Sequence, residues 1–314
     1  MAVTSRSPDS FRHRALVYSG EDEFVARSAA FVREGLAGDE PTLVVVSAEK
    51  IARLSEELGT DGEAVGFADM GGLGNPALII PAWQEFVSRH GAPGVRLRGI
   101  GEPIFSGRGP QELVECQRHE SLLNLAFRDV EGFLLLCPYD ASTLPSDVID
   151  EARRSHPLVA VGGDDAASAD YRGVDAITAP FAEPLPAPPG DAAELEFAPG
   201  GLAGVRRFVA GEADAAGLAP DRRADIVAAV DEVASNSLRH GGGRGTLRVW
   251  RSALGLVCQV EDAGSIEDPL VGRRRPSTDG SGGFGLWMAN RLCDLLQVRA
   301  VDDGTVVRLH QSRR

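Results

Sequence analysis

Short apolar runs that alternate with helical patterns dominate the first 180 residues and limit the fold more than any other feature. Segments such as EDEFVARSAAFVREGLAG, between two of these runs, have the spacing of an amphipathic helix. Strands that alternate with helices form βαβ units, so the sequence predicts a parallel sheet with helices on its faces. The predicted strands are ALVYSG (15–20), TLVVVS (42–47), AVGFAD (64–69), VRLRGIG (95–101), FLLLCPYD (133–140) and LVAVGG (158–163).

A proline-rich segment, FAEPLPAPPGDAAELEF, separates this half from the rest of the chain. Its four prolines preclude a regular helix and favour an extended, semi-rigid conformation. The 314 residues are enough for two domains. We therefore predict a two-domain α/β protein with a first domain at 1–180, a linker at 181–197 and a second domain at 198–314.

Composition removes several classes of function. The net charge of −14 argues against a nucleic-acid-binding surface and against an anionic membrane as partner. The sequence has neither a signal-peptide core near its start nor an apolar stretch of membrane-spanning length, so we expect a cytoplasmic protein. The four cysteines are scattered without a CxxC pair, which favours small buried hydrophobes over disulfides or zinc ligands.

The first domain lacks the lysine loop that binds a triphosphate. The chain's only lysine, Lys50, stands in SAEKIARL, outside any Gly-x-x-x-x-Gly-Lys-Ser/Thr pattern. The glycines of MGGLGNP (70–76) have no lysine, and we predict a loop there before a helix that starts at Pro76.

Four motifs in this half resemble the MEDS sensory domain, a degenerate RecA-like sensor named from methanogens and methylotrophs. The resemblance covers about residues 10–180 and implies that this half senses a signal, such as a small molecule or a redox change. The motifs are FRHRALVYSGEDEF near the start, GEP after the fourth strand, ECQRHESLLN on a helix and CPYD at the end of the fifth strand.

Six side chains near predicted strand ends or on one helix could converge in this half, in a sensor pocket or in structural roles. Cysteine and histidine together can hold a metal or a haem. No ligand spacing supports either group, so we predict neither here. The six residues are His13, Glu102, His119, Glu120, Cys137 and Tyr139.

In the second half, APDRRADIVAAVDEVASNSLRHGGG is predicted as a helix from Pro220 to the glycines at 241. Its core-facing stripe consists of Ile226, Val230, Val233 and Ser237. Glu232, Asn236 and His240 share a neighbouring stripe. A carboxylate and an amide one turn apart can act as a base and as a ligand for a cation such as Mg²⁺. A solvated polar face is the alternative explanation of this spacing.

Two predicted antiparallel strands follow, and the second, GLVCQVED, ends at Asp262. A carboxylate at a strand end, followed by Gly264, can accept a hydrogen bond from an exocyclic amine while backbone passes close to a flat ring. An ordinary Asp-Ala-Gly turn is the alternative. Residues 265–281 lack periodicity, contain three successive arginines at 273–275 and lead into SGGFGLWMAN.

The glycines at the start of that last segment precede a predicted helix. Backbone N–H groups at a helix start can bind phosphate without a lysine. We expect Trp287 and Met288 on the buried face of this helix. Two final strands flank Asp303-Gly304, and Thr305 is placed to face the same pocket.

In this order, these motifs resemble the GHKL ATPase superfamily with its Bergerat ATP-binding fold, over roughly 196–312. The likeness is greater to the anti-sigma factor serine kinase branch, whose Glu-x-x-x-Asn-x-x-x-His-Gly helix pattern occurs here at Glu232, Asn236, His240 and Gly241.

The resemblance implies ATP and Mg²⁺ as cofactors and a role for each matching residue. It makes Asn236 the Mg²⁺ ligand, Glu232 the general base on a protein hydroxyl and Asp262 the adenine contact. Gly264 would lie against the ring and Thr305 would support Asp262. The backbone N–H groups that would bind the phosphates belong to Gly282, Gly283 and Gly285.

The same resemblance implies a regulator that binds a sigma factor and phosphorylates its STAS-domain anti-anti-sigma antagonist on Ser or Thr. A homodimer is an open alternative, since many of the resembling kinases are dimers. The Asp-x-Gly motif continues as SIEDP rather than to a further glycine, and GGFG contains no arginine or lysine. An ATP-dependent sigma-factor-binding module without turnover is therefore a second hypothesis.

A sensor histidine kinase is the third hypothesis, because RHESLLN (118–124) resembles a phosphoacceptor His-Glu pair on a helix. Such kinases need a dimerising helical hairpin between this histidine and Asn236. The sequence instead predicts a strand, a short helix near 146–155, another strand and the proline-rich linker. We therefore expect His119 to be an ordinary helix residue.

Overall fold

The computed structural model describes residues 10–161, 164–173, 183–276 and 283–313. Apart from the segment Ala77–Pro81, which groups with the second unit, residues up to Ala179 form one compact unit and those from Pro180 form another. The chain is a two-unit α/β protein, as its sequence predicts.

The first unit contains a seven-stranded sheet of order β3-β2-β4-β5-β1-β6-β7. All neighbouring strands are parallel except β6 and β7, which pair antiparallel. Each predicted apolar run overlaps one of the first six strands, whereas β7 was not predicted; β1 begins three residues before its predicted run. The strands are β1 (Arg12–Tyr18), β2 (Thr42–Val46), β3 (Gly66–Asp69), β4 (Leu97–Gly101), β5 (Phe133–Asp140), β6 (Leu158–Val161) and β7 (Asp164–Ala167).

Helices connect these strands, as a parallel sheet requires. They are α1 (Glu21–Ala37), α2 (Ala48–Leu58), α3 (Met70–Leu73), α4 (Ile79–His90), α5 (Pro110–Ala126) and α6 (Ser146–Ser155). Two 3₁₀ segments, Gly59–Ala64 and Pro76–Leu78, precede β3 and α4. The MGGL segment, predicted as loop, forms the short α3.

Helix α5 differs from the other helices of this unit in the kind of side chain it buries. Glu115, His119, Glu120 and Asn124 are each no more than 1% exposed. Buried polar groups need hydrogen-bond or ionic partners. This helix therefore brings a polar cluster into the interior of an otherwise apolar unit.

The second unit contains a five-stranded antiparallel sheet of order β11-β12-β10-β9-β8. Its strands are β8 (Ala193–Phe197), β9 (Gly245–Arg251), β10 (Gly255–Asp262), β11 (Leu295–Val301) and β12 (Gly304–Ser312). Its helices are α7 (Leu202–Ala216), α8 (Pro220–His240) and α9 (Phe284–Leu292).

One core joins these helices to the sheet. Val205 of α7 and Val230 of α8 lie in the same buried cluster as Leu247 and Cys258 of the sheet. The predicted core stripe of α8 is correct, because Ile226, Val230, Val233 and Ser237 are all buried.

Two local predictions were wrong in this unit. Residues 193–197, predicted as part of the linker, form the edge strand β8. Its backbone pairs antiparallel with β9, and its side chains alternate in exposure along most of the strand. On α9, Trp287 and Met288 are only half-buried, while Leu286 and Ala289 are buried. The buried residues of α9 are Gly285, Leu286, Ala289 and Asn290, so the face that packs on the core is opposite to the predicted one.

Among the helices that the structure describes, none is long and apolar enough to cross a membrane. Each of the four cysteines is a buried free thiol.

Candidate functional site

Helix α8 carries the carboxylate and amide that the sequence singled out. Glu232 and Asn236 are half-buried and lie one helical turn apart. Both line a cleft of about 620 Å³, together with Gly283, Phe284 and Gly285 at the start of α9. The structure therefore brings the α8 pair together with two of the three predicted phosphate-binding glycines.

Gly285 approaches the α8 pair so closely that an added side chain would displace the ends of the Asn236 and Glu232 side chains. A Cβ at this position would lie 2.7 Å from Asn236 Nδ2 and 3.1 Å from Glu232 Oε2. Gly283, the N-cap of α9, has a φ of 83° and supplies no side-chain cap. Since the first N–H groups of a helix have no intrahelical acceptor, the N-terminus of α9 presents donors beside Glu232 and Asn236.

Gly282 lies outside the described residues, as does the end of the predicted loop at 277–281. Earlier in that loop, Arg273 is buried and Arg274 Nη2 donates to Asp268 Oδ2 at 2.9 Å. Arg274 and Arg275 are exposed.

Asp262 stands at the end of β10, and neighbouring groups fix its carboxylate. Its Oδ1 accepts the Gly264 N–H at 2.8 Å, and its Oδ2 accepts the Ser237 hydroxyl at 2.5 Å. Thr305, its partner across the β10–β12 ladder, donates its hydroxyl to the Gly264 carbonyl at 2.8 Å. Thr305 therefore supports the Asp262 turn through the backbone of Gly264.

The backbone around Asp262 has no room for extra side-chain atoms. A Cβ on Gly241 would lie 2.3 Å from Asp262 Cγ, and one on Gly264 would lie 2.8 Å from the His240 carbonyl oxygen. The end of α8 and the end of β10 thus touch through two glycines. This contact holds the carboxylate beside a flat stretch of backbone.

Asn236 and His240 connect the two parts of the site. Both line the cleft that contains Glu232, and both also line a smaller cavity of about 50 Å³ with Asp262, Gly264 and Thr305. Asn236 Oδ1 accepts a hydrogen bond from Arg239 Nη2 at 3.1 Å. The predicted base, amide and adenine-contacting carboxylate therefore border adjoining cavities.

Sequence reasoning missed the role of Ser237, which it assigned only to the core stripe. Ser237 is buried, but its hydroxyl is one of the two groups that orient Asp262. The available signal was a polar side chain at the last position of an otherwise apolar stripe.

In the first unit, three of the six predicted residues meet in a buried cluster. His13 Nε2 lies 3.1 Å from Glu120 Oε2 and 3.3 Å from Cys137 Sγ. Two residues that the sequence did not indicate complete it: Asn124 Oδ1 is 3.2 Å from His13 Nδ1, and His156 Nε2 is 3.2 Å from Glu120 Oε2. Burial, followed by the neighbouring His156, lowers the pKa of His13 to about 4.

The other three predicted residues take different positions. Glu102 pairs with Lys50 Nζ at 2.6 Å and accepts the Tyr18 hydroxyl at 2.7 Å. Burial raises the pKa of Glu102, and Lys50 opposes that rise. Tyr139 sets its ring edge-on to His156 at a centroid distance of 5.6 Å, and His119 is buried on α5.

Family comparisons agree with this division of the chain. Residues 12–157 match the MEDS family, described as the methanogen/methylotroph, DcmR sensory domain. Residues 195–310 match the histidine kinase-like ATPase domain. The chain carries a MEDS domain followed by a GHKL-type ATPase domain. No curated protein matches the chain.

Domains of the GHKL type bind ATP, usually with Mg²⁺, and have ATP-dependent kinase or ATPase activity. Both cavities described above lie within the ATPase domain, between α8, the start of α9 and the ends of β10 and β12. The buried histidine cluster lies within the MEDS domain.

Proposed function

We propose that the protein is a signalling regulator whose ATPase domain binds Mg²⁺-ATP and transfers the γ-phosphoryl group to a Ser or Thr of a STAS-domain antagonist. In this proposal the same domain binds a sigma factor, and the MEDS domain controls the output. The observation that carries it is the close approach of Gly285 to Glu232 and Asn236.

Asp262 is suited to recognise adenine. Its two oxygens already accept hydrogen bonds from Gly264 and Ser237, and each carboxylate oxygen can accept a second one. A purine 6-amino group would supply that further donor. The half-buried backbone of Gly264, without a side chain, borders the smaller cavity and leaves a surface against which a flat ring can lie.

The chemistry of Glu232 and Asn236 fits a nucleotide-bound magnesium ion. Amide and carboxylate oxygens are hard ligands of the type that Mg²⁺ prefers, and the absent side chain of Gly285 keeps the space beside them open. Asn236 would hold the ion through Oδ1, which now accepts only the exposed Arg239 guanidinium in the described structure. When bound, Mg²⁺ supplies positive charge against the phosphate oxygens.

Glu232 is suited to be the base. Its carboxylate lines the open cleft and stands one turn from Asn236. From there it can accept the proton of an incoming hydroxyl, while the N–H groups at the start of α9 hold the phosphates. Phosphoryl transfer depends mainly on such positioning and charge.

A histidine kinase is the weaker hypothesis. A phosphoacceptor must reach the γ-phosphate of ATP, yet His119 is 1% exposed within α5. Three strands and α6, rather than a helical hairpin, follow it in the described part of the first unit. These observations favour a separate protein as the phosphoryl acceptor.

Labelling with γ-labelled ATP tests the proposal. The full-length protein is incubated with Mg²⁺, labelled ATP and a STAS-domain protein from the same host. Acid-stable label on a Ser or Thr of that protein is the expected result. Acid-labile label on His119 would replace the proposal with the histidine kinase. Saturable ATP binding without label on any protein would favour the binding module without turnover.

The partners are tested separately by affinity purification of the tagged protein from its native host. Recovery of a sigma factor is expected, and more of it in the presence of Mg²⁺-ATP. Recovery of a response regulator instead would contradict the anti-sigma role. Size-exclusion chromatography with light scattering on the same sample distinguishes a homodimer from a monomer.

A further inference from the structure

The MEDS domain contains a compact group of four metal-ligating side chains that its sequence spacing does not reveal. His13 belongs to β1, Cys137 to β5 and Glu120 to α5, and His156 directly follows α6. All four are at most 1% exposed, and one ligand atom from each lies within 4.8 Å of the other three.

The pairing of β1 with β5 explains how two of these ligands meet. In the parallel register His13 lies beside Leu135, so His13 and Cys137 occupy the same face of the sheet. Glu120 approaches both from α5, and its Oε2 faces His13 Nε2 and His156 Nε2 at 3.1 and 3.2 Å.

The orientation of His13 is set by Asn124. The Asn124 amide nitrogen donates to the carbonyl oxygens of Ser121 and Ser155, at 3.3 and 2.8 Å, so its Oδ1 must face His13 Nδ1. An amide oxygen only accepts, so His13 Nδ1 carries a proton and donates it. The Nε2 atom is thereby directed at Glu120 and Cys137.

His156 is oriented in the same way by backbone. Its Nδ1 lies 2.8 Å from the Ala152 carbonyl oxygen, which can only accept a hydrogen bond. His156 Nδ1 therefore also carries the proton, and its Nε2 faces the same Glu120 oxygen. Metal-binding histidines commonly have this arrangement, with the second ring nitrogen donating to a carbonyl or carboxylate.

Protons alone satisfy this cluster poorly. For both Nε2 atoms to donate to Glu120, both rings would have to be cations, although their centroids are only 3.9 Å apart and one carboxylate faces them. If either ring is neutral, its Nε2 lone pair faces the Glu120 carboxylate, and among the four side chains only the Cys137 thiol or a protonated Glu120 can supply it with a hydrogen bond. Glu120 Oε1 is also buried without a hydrogen-bond partner in the described structure.

We propose that the MEDS domain binds one divalent transition-metal ion of the zinc class through His13 Nε2, His156 Nε2, the Glu120 carboxylate and Cys137 Sγ. A dication, one carboxylate and one thiolate sum to zero charge, which a fully buried site requires. Tetrahedral zinc ligands stand about 3.3 Å apart between nitrogen and oxygen, and about 3.6 Å apart between nitrogen and sulfur. The separations of 3.1, 3.2 and 3.3 Å are within a few tenths of these lengths.

This donor set also limits which ion binds. Two imidazoles and a thiolate are ligands of zinc and related transition metals, whereas Mg²⁺ and Ca²⁺ prefer oxygen. The site is distinct from the predicted Mg²⁺ ligand Asn236, which lies in the other domain. Its test is therefore independent of the proposed kinase activity.

Elemental analysis and cobalt substitution test the site on the full-length protein. The protein is stripped with a chelator, loaded anaerobically with Zn²⁺ or Co²⁺ and desalted. We expect about one metal ion per chain. With Co²⁺ we expect the visible bands of a four-coordinate ion and a near-ultraviolet thiolate-to-cobalt band. A wild-type protein that retains no stoichiometric metal, or a cobalt spectrum without a thiolate band, would overturn the proposal.

Variants then test the ligands. Cys137→Ser should abolish the thiolate band, while the control Cys116→Ser, an equally buried cysteine on α5, should keep it. Asn124→Leu should weaken the affinity for Zn²⁺ by about 10- to 100-fold, because it removes the group that orients His13 and leaves all four ligands in place. A thiolate band that persists in folded Cys137→Ser, checked by circular dichroism, would contradict the assignment. If that variant does not fold, the presence or absence of the thiolate-to-cobalt band in the wild-type protein decides whether a cysteine binds the metal.

Discussion

Replacing Asp262 with asparagine tests its proposed role in the recognition of adenine. In Asp262→Asn, the Oδ1 atom can still accept the Gly264 N–H. The new amide nitrogen can donate to Ser237 Oγ, whose own proton can turn to the Val233 carbonyl oxygen at 3.2 Å. The local structure therefore survives, but a donor now replaces the acceptor that would face the purine 6-amino group.

The size of the effect follows from the lost interaction. A hydrogen bond to a charged group contributes about 1.5–3 kcal/mol, and about 1.4 kcal/mol corresponds to a factor of ten in affinity. The affinity for ATP should therefore fall by about 10- to 150-fold. Affinity for GTP, whose 6-oxo group is an acceptor, should fall less or rise, so the preference for ATP over GTP should decrease.

Isothermal titration calorimetry with Mg²⁺-ATP and Mg²⁺-GTP measures both affinities. Asp214→Asn is the matched control, because Asp214 is an exposed residue of α7 that pairs with Arg223 and borders neither cavity. An ATP affinity within twofold of wild type would remove the adenine role of Asp262. An equal loss for ATP and GTP would show that the carboxylate acts on another part of the nucleotide.

Three further predictions follow from particular contacts. Gly285→Ala should lower both ATP affinity and phosphoryl transfer, because its Cβ would press on Asn236 at 2.7 Å. The control Gly204→Ala, with open space around it on α7, should instead raise the unfolding free energy by about 0.5–1 kcal/mol. Equal effects of the two changes on ATP affinity and phosphoryl transfer would contradict this prediction. In protein stripped of metal, burial lowers the pKa of His13 from 6.5 to about 4, so the unfolded chain binds an extra proton between these two values. The free energy of unfolding of the stripped protein should therefore fall as pH falls from 6.5 to 4, by up to about 3 kcal/mol. A urea midpoint for the MEDS domain of the stripped protein that is as high at pH 5 as at pH 7.5 would refute this prediction. Burial raises the pKa of the Cys258 and Cys293 thiols, so a thiol reagent at pH 8 should leave both unmodified in the native protein and react with both in denaturant, and rapid native labelling of either would count against their burial.

Much of the fold could be predicted because hydrophobic periodicity reports local structure directly. The apolar runs of the first half alternate with helical patterns, and each overlaps a strand of the parallel part of the sheet. Strand β7 has the sequence DDAA and no strand-like pattern, so only its pairing with β6 makes it a strand. Strand β8 does alternate, as AELEF, but its proximity to prolines led to its assignment as linker.

The ATPase site could be located because its residues follow one another along the chain in a set order of helix, strand end and glycine turn. The structure brings Glu232, Asn236 and Gly285 to one cleft, and Asp262 to the adjoining cavity. The contact of Ser237 with Asp262 could not be predicted from the order of the motifs, because this contact depends on how α8 packs on β10.

The histidine cluster, by contrast, could not be predicted from the sequence. Its four proposed ligands follow one another along the chain at separations of 107, 17 and 19 positions and come from different parts of the fold, so no local spacing marks them as ligands. The expectation that the first domain has no metal site depended on that missing spacing. His156 in particular directly follows α6, and its place in the cluster depends on how the end of that helix packs beside β1.

The most direct test of the central claim is the rate of phosphoryl transfer in Glu232→Gln, measured beside its ATP affinity. The amide keeps the shape of the side chain but cannot accept the proton of the attacking hydroxyl. ATP affinity should stay within about twofold of wild type, while transfer to the STAS-domain protein should fall by about 10²- to 10⁴-fold. Asp231→Asn, one residue away and paired with Arg206, serves as the control and should transfer normally. A wild-type rate in Glu232→Gln would contradict the account.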